Sequence, residues 1–295
     1  METTGSVGML LQILIGGIAT GSIYAVVGLG FTLLYRAMKM VNFAQGHVFM
    51  AGTFLGLIIA NRFALPAIPL LLIVMVLAFL IGVVLERIVF RRLYHDHDVF
   101  IVGAIGLGIV LMNTVRVFFP EPVPFPKVFG ERLVEFGGAR FQEAYLWVIG
   151  CTVVLVALLH SFFTYTRHGR AMRAVASDAE IAGTVGVNVP RAIAHIFGLT
   201  FAVAAGAGVL IGPLYFVSFD MGDMVGLKAF AAAVLGGINS VPGTILGGIA
   251  IGLLENLAGT YISSAYKDLV AFVILLAMLV FRPNGLLGTS TPVKV

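Results

Sequence analysis

Two groups of polar residues in this apolar chain have the types and spacing that function would require. The first is the segment 166–191, TRHGRAMRAVASDAEIAGTVGVNVPR, which is too polar to cross a membrane and too regular for a passive linker. The second is a set of polar side chains inside long apolar runs, where ionisable groups are costly and indicate function. That set comprises Asn42, Gln45, His47, Lys228, Glu255 and Asn256.

The segment 166–191 has the pattern of a short amphipathic helix. Apolar residues recur every three or four positions and form one face, namely Met172, Val175, Ala179, Ala182 and Val185. Ser177 and Glu180 have the spacing of a capping box, which predicts a helix starting near Asp178. Gly186 is placed to end that helix in a left-handed cap, and Pro190 starts the next apolar run.

Such a helix has two interpretations. It lies on lipid, in which case the flanking Arg170 and Arg173 face the headgroups, or it docks into a groove of a partner protein. The apolar residues are mostly alanine and glycine. Because small residues contribute little buried area, they bind lipid weakly but fit a protein groove. We therefore favour docking to a protein.

The ionisable residues of the apolar runs also have two interpretations each. Glu255 lies midway along its run beside Asn256, so it contacts a transport pathway or gate, or it makes an interhelical hydrogen bond. Lys228 lies at the outer end of the short glycine-rich run 224–238. Its ammonium group either reaches the membrane interface or pairs with Asp220, Asp223 or Glu255.

Chemistry of other kinds finds no support in the sequence. No His, Cys, Asp and Glu residues have metal-ligand spacing, and no serine lies in a nucleophile elbow. The phosphate-binding pattern G-x-x-x-x-G-K-[ST] is missing. We expect no catalytic residue, metal, cofactor or nucleic-acid partner, and any ATP must be used by another protein.

The elements that hold these residues are membrane spans. The chain of 295 residues is 60% hydrophobic and 11% charged, whereas a soluble domain carries about 25% charged residues. Its apolar runs approach the ~20 residues that cross a bilayer and lack the alternation of strands. The composition predicts an all-α bundle of about eight or nine crossings in one domain, 1–295. The candidate spans are 7–34, 43–60, 68–85, 100–119, 144–163, 193–214, 224–238, 243–261 and 269–281.

Positive charge predicts the orientation of these spans, because Lys and Arg concentrate in cytoplasmic loops. Basic residues follow the first, third, fifth and last spans, at Arg36, Lys39, Arg87, Arg91, Arg92, Arg167, Arg170, Arg173, Arg191 and Arg282. The N-terminus is then outside and the C-terminus inside, which requires an odd number of crossings. The run 224–238 decides between nine and eight, because it either spans or re-enters. Asn42, Gln45 and His47 then lie at the cytoplasmic mouth of the second span, where they line an inner gate or Asn42 caps the helix.

Two further features concern the outer loop and the packing of the spans. The loop 120–143 carries two short runs around Gly137-Gly138, which indicate a hairpin. It serves either as a docking surface for an external partner or as a rigid lid. Close helix packing is indicated by glycines four residues apart, at Gly17/Gly21, Gly52/Gly56, Gly208/Gly212 and Gly248/Gly252.

Several stretches resemble a known family of transporters. The segment 166–191 looks like the coupling loop of an ABC importer permease. The stretches GSIYAVVGLGFT (21–32), MVNFAQG (40–46) and KAFAAAVLGGINSVPG (228–243) resemble LivH-like permeases for branched-chain amino acids. The closing YKD (266–268) and RPNGLLG (282–288) also fit, so the resemblance covers nearly the whole chain in order.

The resemblance implies a division of labour in a bacterial inner membrane. This chain would be a permease for branched-chain or related hydrophobic amino acids. It would work with a second related permease (in a heterodimer or a homodimer), two cytoplasmic ATPases and a periplasmic binding protein. ATPase closure would act through Gly169, Arg170, Arg173, Asp178, Glu180, Ala182, Gly186 and Asn188. Importers of similar type for amides, urea or sugars remain open, and an ion-coupled secondary transporter is the alternative from another class.

Overall fold

The structure, a computed structural model, describes residues 2–130 and 132–288. Helices dominate it, with four short strands, and the elements follow in chain order. They are α1 (Glu2–Met38), α2 (Gln45–Phe63), α3 (Ala67–Ile88), α4 (His97–Phe118), β1 (Val123–Pro124), β2 (Leu133–Phe136), β3 (Ala139–Gln142), α5 (Glu143–Tyr165), α6 (Arg167–Ser177), α7 (Ala179–Thr184), α8 (Val189–Ile211), β4 (Phe216–Val217), α9 (Met221–Gly236), α10 (Val241–Tyr261) and α11 (Lys267–Phe281).

Within the described residues, eight helical segments are long and apolar enough to cross a membrane, which confirms the predicted helical bundle. The buried share of these segments falls from 89% around α8 to 6% around α11. The helix α8 therefore forms the centre of the bundle, with α1 and α2 against it. The apolar outer sides of α3, α4, α5 and α11 are left for lipid or for another protein.

The helix α9 contains most of the short glycine-rich run 224–238, which the sequence predicts either to span the membrane or to re-enter it. Its 16 residues span about 24 Å, less than the ~30 Å hydrocarbon core. Before it, β4 pairs with β1 of the outer loop. After it, the Leu286 amide donates to the carbonyl of Leu235. The helix thus runs from beside Gly46, at the start of α2, to the end of the bundle that carries Arg36, Arg87 and Arg282, here named the basic end. The opposite end, with β1–β4, is named the hairpin end.

The glycine pairs expected to pack closely lie at close contacts with neighbouring elements. A Cβ on Gly21 of α1 would lie 2.7 Å from the carbonyl oxygen of Gly248 of α10. A Cβ on Gly56 of α2 would lie 2.8 Å from a methyl group of Val209 of α8. Because side chains at these places would collide, the glycines set the short distances at which α1, α10, α2 and α8 pack.

The outer loop forms the β2–β3 hairpin, with Leu133 opposite Gln142 and Phe136 opposite Ala139. Gly137 and Gly138 make the two-residue turn with φ of +59° and +82°, the left-handed region that such a turn requires. The turn lies against the start of α1, beside Gly8. The hairpin therefore covers one end of the bundle.

Candidate functional site

The segment 166–191 folds as two helices, α6 and α7, where the sequence predicted one helix starting near Asp178. Asp178 separates them in extended conformation, and its Oδ1 accepts from the amides of Glu180 and Ile181, both at 3.0 Å. The cap of α7 is thus Asp178 itself and not Ser177 of the expected capping box. Thr166 caps α6 in the same way, because its hydroxyl oxygen accepts from the Gly169 amide at 2.9 Å.

The end of α7 is built as the sequence indicates. Gly186 has a φ of +86°, and its amide donates to the carbonyl of Gly183 while the Val187 amide donates to that of Ala182. This pair of bonds is a Schellman cap. Asn188 follows at once and starts α8, where its Oδ1 accepts from the Arg191 amide at 3.0 Å. Two residues therefore separate the cap of α7 from the central helix of the bundle.

The face that these helices present differs from the expected one. Met172, Val175 and Ala182 are buried against the bundle, but Ala179 and Val185 are exposed. The break at Asp178 rotates α7 relative to α6, so one helical stripe does not continue through both. Ile181 and Val185 are 61% and 72% exposed, which leaves an aliphatic surface on α7 facing away from the bundle.

The eight predicted coupling residues divide into two groups. Gly169 and Ala182 face the bundle, and a Cβ on Gly169 would lie 2.6 Å from the Cα of Phe163, so α6 packs tightly on the end of α5. The others are exposed, namely Arg170, Arg173, Asp178, Glu180, Gly186 and Asn188. The segment is therefore held firmly on one side and open on the other.

A polar cluster at the end of α3 was not foreseen from the sequence. Glu86 is fully buried, and Arg91 binds both of its carboxylate oxygens, at 3.1 and 2.9 Å. The Tyr94 hydroxyl donates to Glu86 at 2.7 Å. Burial, and then this hydrogen bond, raise the pKa of Tyr94 well above its ordinary value, so it stays a donor. Arg91 also donates to the carbonyl of Pro190 at 3.3 Å, which links α3 to the start of α8.

Lys228 lies at the centre of a buried cluster of charges. It is 5% exposed, and its Nζ lies 2.8 Å from Glu255 Oε1, 2.5 Å from Asp268 Oδ1 and 3.4 Å from the Tyr24 hydroxyl. Lys267 Nζ lies 3.8 Å from the same Glu255 oxygen. Two ammonium groups thus balance two carboxylates, and they join α1, α9, α10 and α11.

The expected pairing of Lys228 with Glu255 is present, whereas Asp268 and Tyr24 were missed. Neither Asp220 nor Asp223 takes the predicted place beside Lys228. The Ser218 hydroxyl bonds to Asp220, and Asp223 pairs with His47. The amide of Asn256 donates to the carbonyl of Gly252 within its own helix, at 3.0 Å.

Asn42, Gln45 and His47 lie deeper than the predicted mouth of the second span. Gln45 Nε2 donates to the carbonyl of Thr200 at 3.1 Å, and Thr200 lies about 16 Å into α8. His47 Nδ1 lies 2.6 Å from where a Cβ on Gly108 would be, midway along α4. The helix α2 therefore starts at mid-depth. The non-helical stretch 39–44 leads to it from the basic end, where the Lys39 carbonyl contacts His97 at the start of α4.

This site holds polar atoms without partners. Among the described residues, Asn42 Nδ2, Gln45 Oε1 and His47 Nδ1 are buried and make no hydrogen bond. Asn42 Oδ1 accepts from the Ala44 amide at 3.0 Å. Because buried polar atoms are normally paired, three unpaired atoms so close in sequence mark a place where structure alone does not explain the residue types.

Within the described residues, no group of three or more His, Cys, Asp or Glu side chains is arranged to hold a metal ion. What the bundle contains instead is polar side chains at mid-depth and an amphipathic segment at its basic end. These features define a multi-pass helical membrane protein with the organisation of a transport subunit.

The comparisons with known proteins agree with that class. Residues 13–279 match the family model for the branched-chain amino acid transport system permease component. The chain is 35% identical to the high-affinity branched-chain amino acid transport system permease protein LivH of Escherichia coli K12, covering 97% of both chains. It is 35% identical to the corresponding protein BraD of Pseudomonas aeruginosa PAO1, covering 97% of this chain and 98% of BraD. The chain belongs to this permease family and is a multi-pass protein of the bacterial inner membrane.

A solved structure shows the same fold at lower sequence similarity. PsaBC from Streptococcus pneumoniae in complex with Fab matches with a TM-score of 0.51 and 15% identity, over 93% of this chain and 92% of that one. The likeness concerns the arrangement of helices alone.

Proposed function

We propose that this chain forms the transmembrane pathway of an ATP-binding-cassette importer for branched-chain or related hydrophobic amino acids. The family match and the LivH and BraD relatives, which cover 97% of the chain, support the substrate class. The observation that carries the mechanism is the α6–α7 segment, which is firmly anchored to the bundle yet exposes Ile181 and Val185.

Energy enters through this segment. A partner ATPase docks on the exposed side of α7, and its closure displaces α6 and α7 together. Gly169 transmits the movement to the end of α5, and the two-residue link after Gly186 transmits it to α8. The bond from Arg91 to the Pro190 carbonyl carries it to α3. Because these contacts are short, a rigid displacement reaches three membrane helices.

The complete importer requires further subunits. Two ATPases supply the hydrolysis, and a second related permease, identical or not, completes the pathway. The hairpin end faces the periplasm, as the basic residues at the other end indicate, and a substrate-binding protein docks there. The exposed Leu133, Phe136 and Phe216 offer it an apolar surface.

The polar residues of the bundle have two roles in this proposal. Asn42, Gln45 and His47 lie beside the pathway, where α2 starts at mid-depth, and their unpaired atoms suit a gate whose partners change. Lys228, Glu255 and Asn256 hold the helices that frame it. The family match and the permease relatives favour this class over an ion-coupled transporter, the alternative from another class. The relatives favour amino acids over amides, urea or sugars.

The test is a charge placed on the proposed docking surface. Ile181→Asp, reconstituted with the partner ATPases, permease and binding protein, is expected to abolish ATP-driven leucine uptake while the chain still enters the membrane. Glu180→Ala and Gly186→Ala should reduce coupling in the same assay. Ile262→Asp is the matched control. Ile262 is 69% exposed and directly follows α10, far from the proposed docking surface on α7. Normal ATPase binding and uptake with Ile181→Asp would remove the basis of the proposed coupling.

A further inference from the structure

The contact between His47 and Asp223 lies at mid-depth in the bundle. His47 Nε2 and Asp223 Oδ1 are 3.0 Å apart, and the His47 ring packs on Gly108. Gly108 is midway along α4, which is about 33 Å long and so matches the ~30 Å hydrocarbon core of a bilayer. The carboxylate of Asp223 therefore lies inside the depth that the bundle spans and not at either of its ends.

Asp223 is nevertheless not enclosed by this chain. Its side chain is 54% exposed, while that of His47 is 13% exposed. A carboxylate at the bilayer centre is costly against lipid and almost always faces a bundle interior or a water-filled cavity. This face of α9 must therefore border water or another polar surface, and not hydrocarbon.

Neighbouring residues give this face a mixed chemistry. Met224 and Leu227 are exposed beside Asp223, and Leu227 follows it by one helical turn on the same side. Nearer the hairpin end, the exposed guanidinium of Arg116 lies 5.2 Å from the ring centre of Phe219. An anionic group, a cationic group and apolar side chains thus occur along one side of α4 and α9.

The pairing of Asp223 is also incomplete on the histidine side. His47 Nδ1 is buried and makes no hydrogen bond among the described residues. The helix ends that carry the pair touch through glycine, because a Cβ on Gly222 would lie 2.7 Å from the Gly46 carbonyl oxygen. The pair therefore lies where α2 and α9 both begin. His47 is the side chain that binds the Asp223 carboxylate there.

We propose that Asp223 binds the α-ammonium group of an amino acid as it passes through the pathway, with His47 as its partner at rest. The inference rests on the proposed function and names a binding residue for it. The ammonium replaces His47 at the carboxylate, and the aliphatic substrate side chain contacts Leu227 and Met224. A substrate without a cationic group, such as a sugar, gains nothing from Asp223.

Transport measurements test the role of the charge. In proteoliposomes with the complete importer, Asp223→Asn should lower the leucine uptake rate about 10- to 100-fold, as expected for losing one charged hydrogen bond. Asp223→Glu should recover part of the rate. Asp220→Asn is the matched control, because Asp220 is an exposed carboxylate one turn earlier.

A second measurement tests the water-exposed face without any substrate. Cys151 is the only cysteine, so Leu227→Cys in a Cys151→Ser background gives a single reactive thiol. In the assembled importer this thiol should react with a cationic methanethiosulfonate faster than with an anionic one. Adding Asp223→Asn should remove that preference.

The outcomes separate this inference from the proposed function. If the wild-type importer takes up no amino acid, the proposed function fails. If the wild type transports and Asp223→Asn transports equally well, the binding role of Asp223 is wrong while the proposed function stands. If the Leu227→Cys thiol reacts only with membrane-soluble maleimides, the face borders lipid and the inference is overturned.

Discussion

Replacing Lys228 by methionine tests what the buried charge cluster does for stability. The methionine keeps most of the length of the side chain but leaves Glu255, which is 2% exposed, without its closest cation. Removing one partner of a buried ion pair typically costs about 3–5 kcal/mol. Lys267, 3.8 Å from Glu255, compensates part of the loss, and Asp268 is half-exposed and adds little. We therefore expect about 3 kcal/mol, the lower end of that range.

The assay is thermal unfolding in detergent, followed by circular dichroism of the helices. A change of 1 kcal/mol shifts the Tm of a large domain by about 2–4 °C, so Lys228→Met should lower it by about 6–12 °C. The double variant Lys228→Met/Glu255→Gln should be more stable than the single one, because it leaves no unpaired charge in the interior.

Lys267→Met is the matched control for the loss of a positive charge. Its ammonium group is about one-third exposed and lies farther from Glu255, so its loss should cost under about 1 kcal/mol. Equal Tm values for Lys228→Met and the double variant would refute the reasoning, because the cost would then not come from an unpaired carboxylate. The same holds if Lys267→Met is as damaging as Lys228→Met.

Three further substitutions test local features. Gly186→Ala should cost about 1–2 kcal/mol in the same unfolding assay, because a Cβ is strained at a φ of +86°, while Gly183→Ala in ordinary helix should cost nothing. Asp178→Ala should lose about 1 kcal/mol and Ser177→Ala almost none; the opposite order would restore the capping box. Gly46→Val should sharply reduce the yield of monodisperse protein in size-exclusion chromatography, because its side chain meets Gly222; an unchanged yield would show that α2 and α9 separate easily.

Local signals in the sequence predicted much of this architecture. The long apolar runs gave the spans, since little else can satisfy the backbone in lipid. The glycine pair at 137–138 and Gly186 occupy positive-φ positions, as their sequence contexts indicate. The glycines spaced four apart lie at close helix contacts. Each of these features depends on residues within a few positions of one another.

The features that were missed depend on distant residues or on depth. Periodicity locates a helix along the chain but does not say how far into the membrane it begins, so Gln45 and His47 were placed at a mouth. The partners Asp223 for His47 and Asp268 for Lys228 come from remote segments. The break at Asp178 was missed for a different reason. The sequence predicted a capping box at Ser177, but Asp178 is the cap, because its Oδ1 accepts from two amides at once.

ATP-dependent uptake of radiolabelled leucine is the most direct test of the central claim. The chain is reconstituted with its ATPases, second permease and binding protein, and ATP is supplied on the ATPase side. The account predicts uptake that requires ATP and the ATPase subunits and continues in the presence of a protonophore. Uptake that persists without the ATPases, or that a protonophore abolishes while ATP is present, would contradict it.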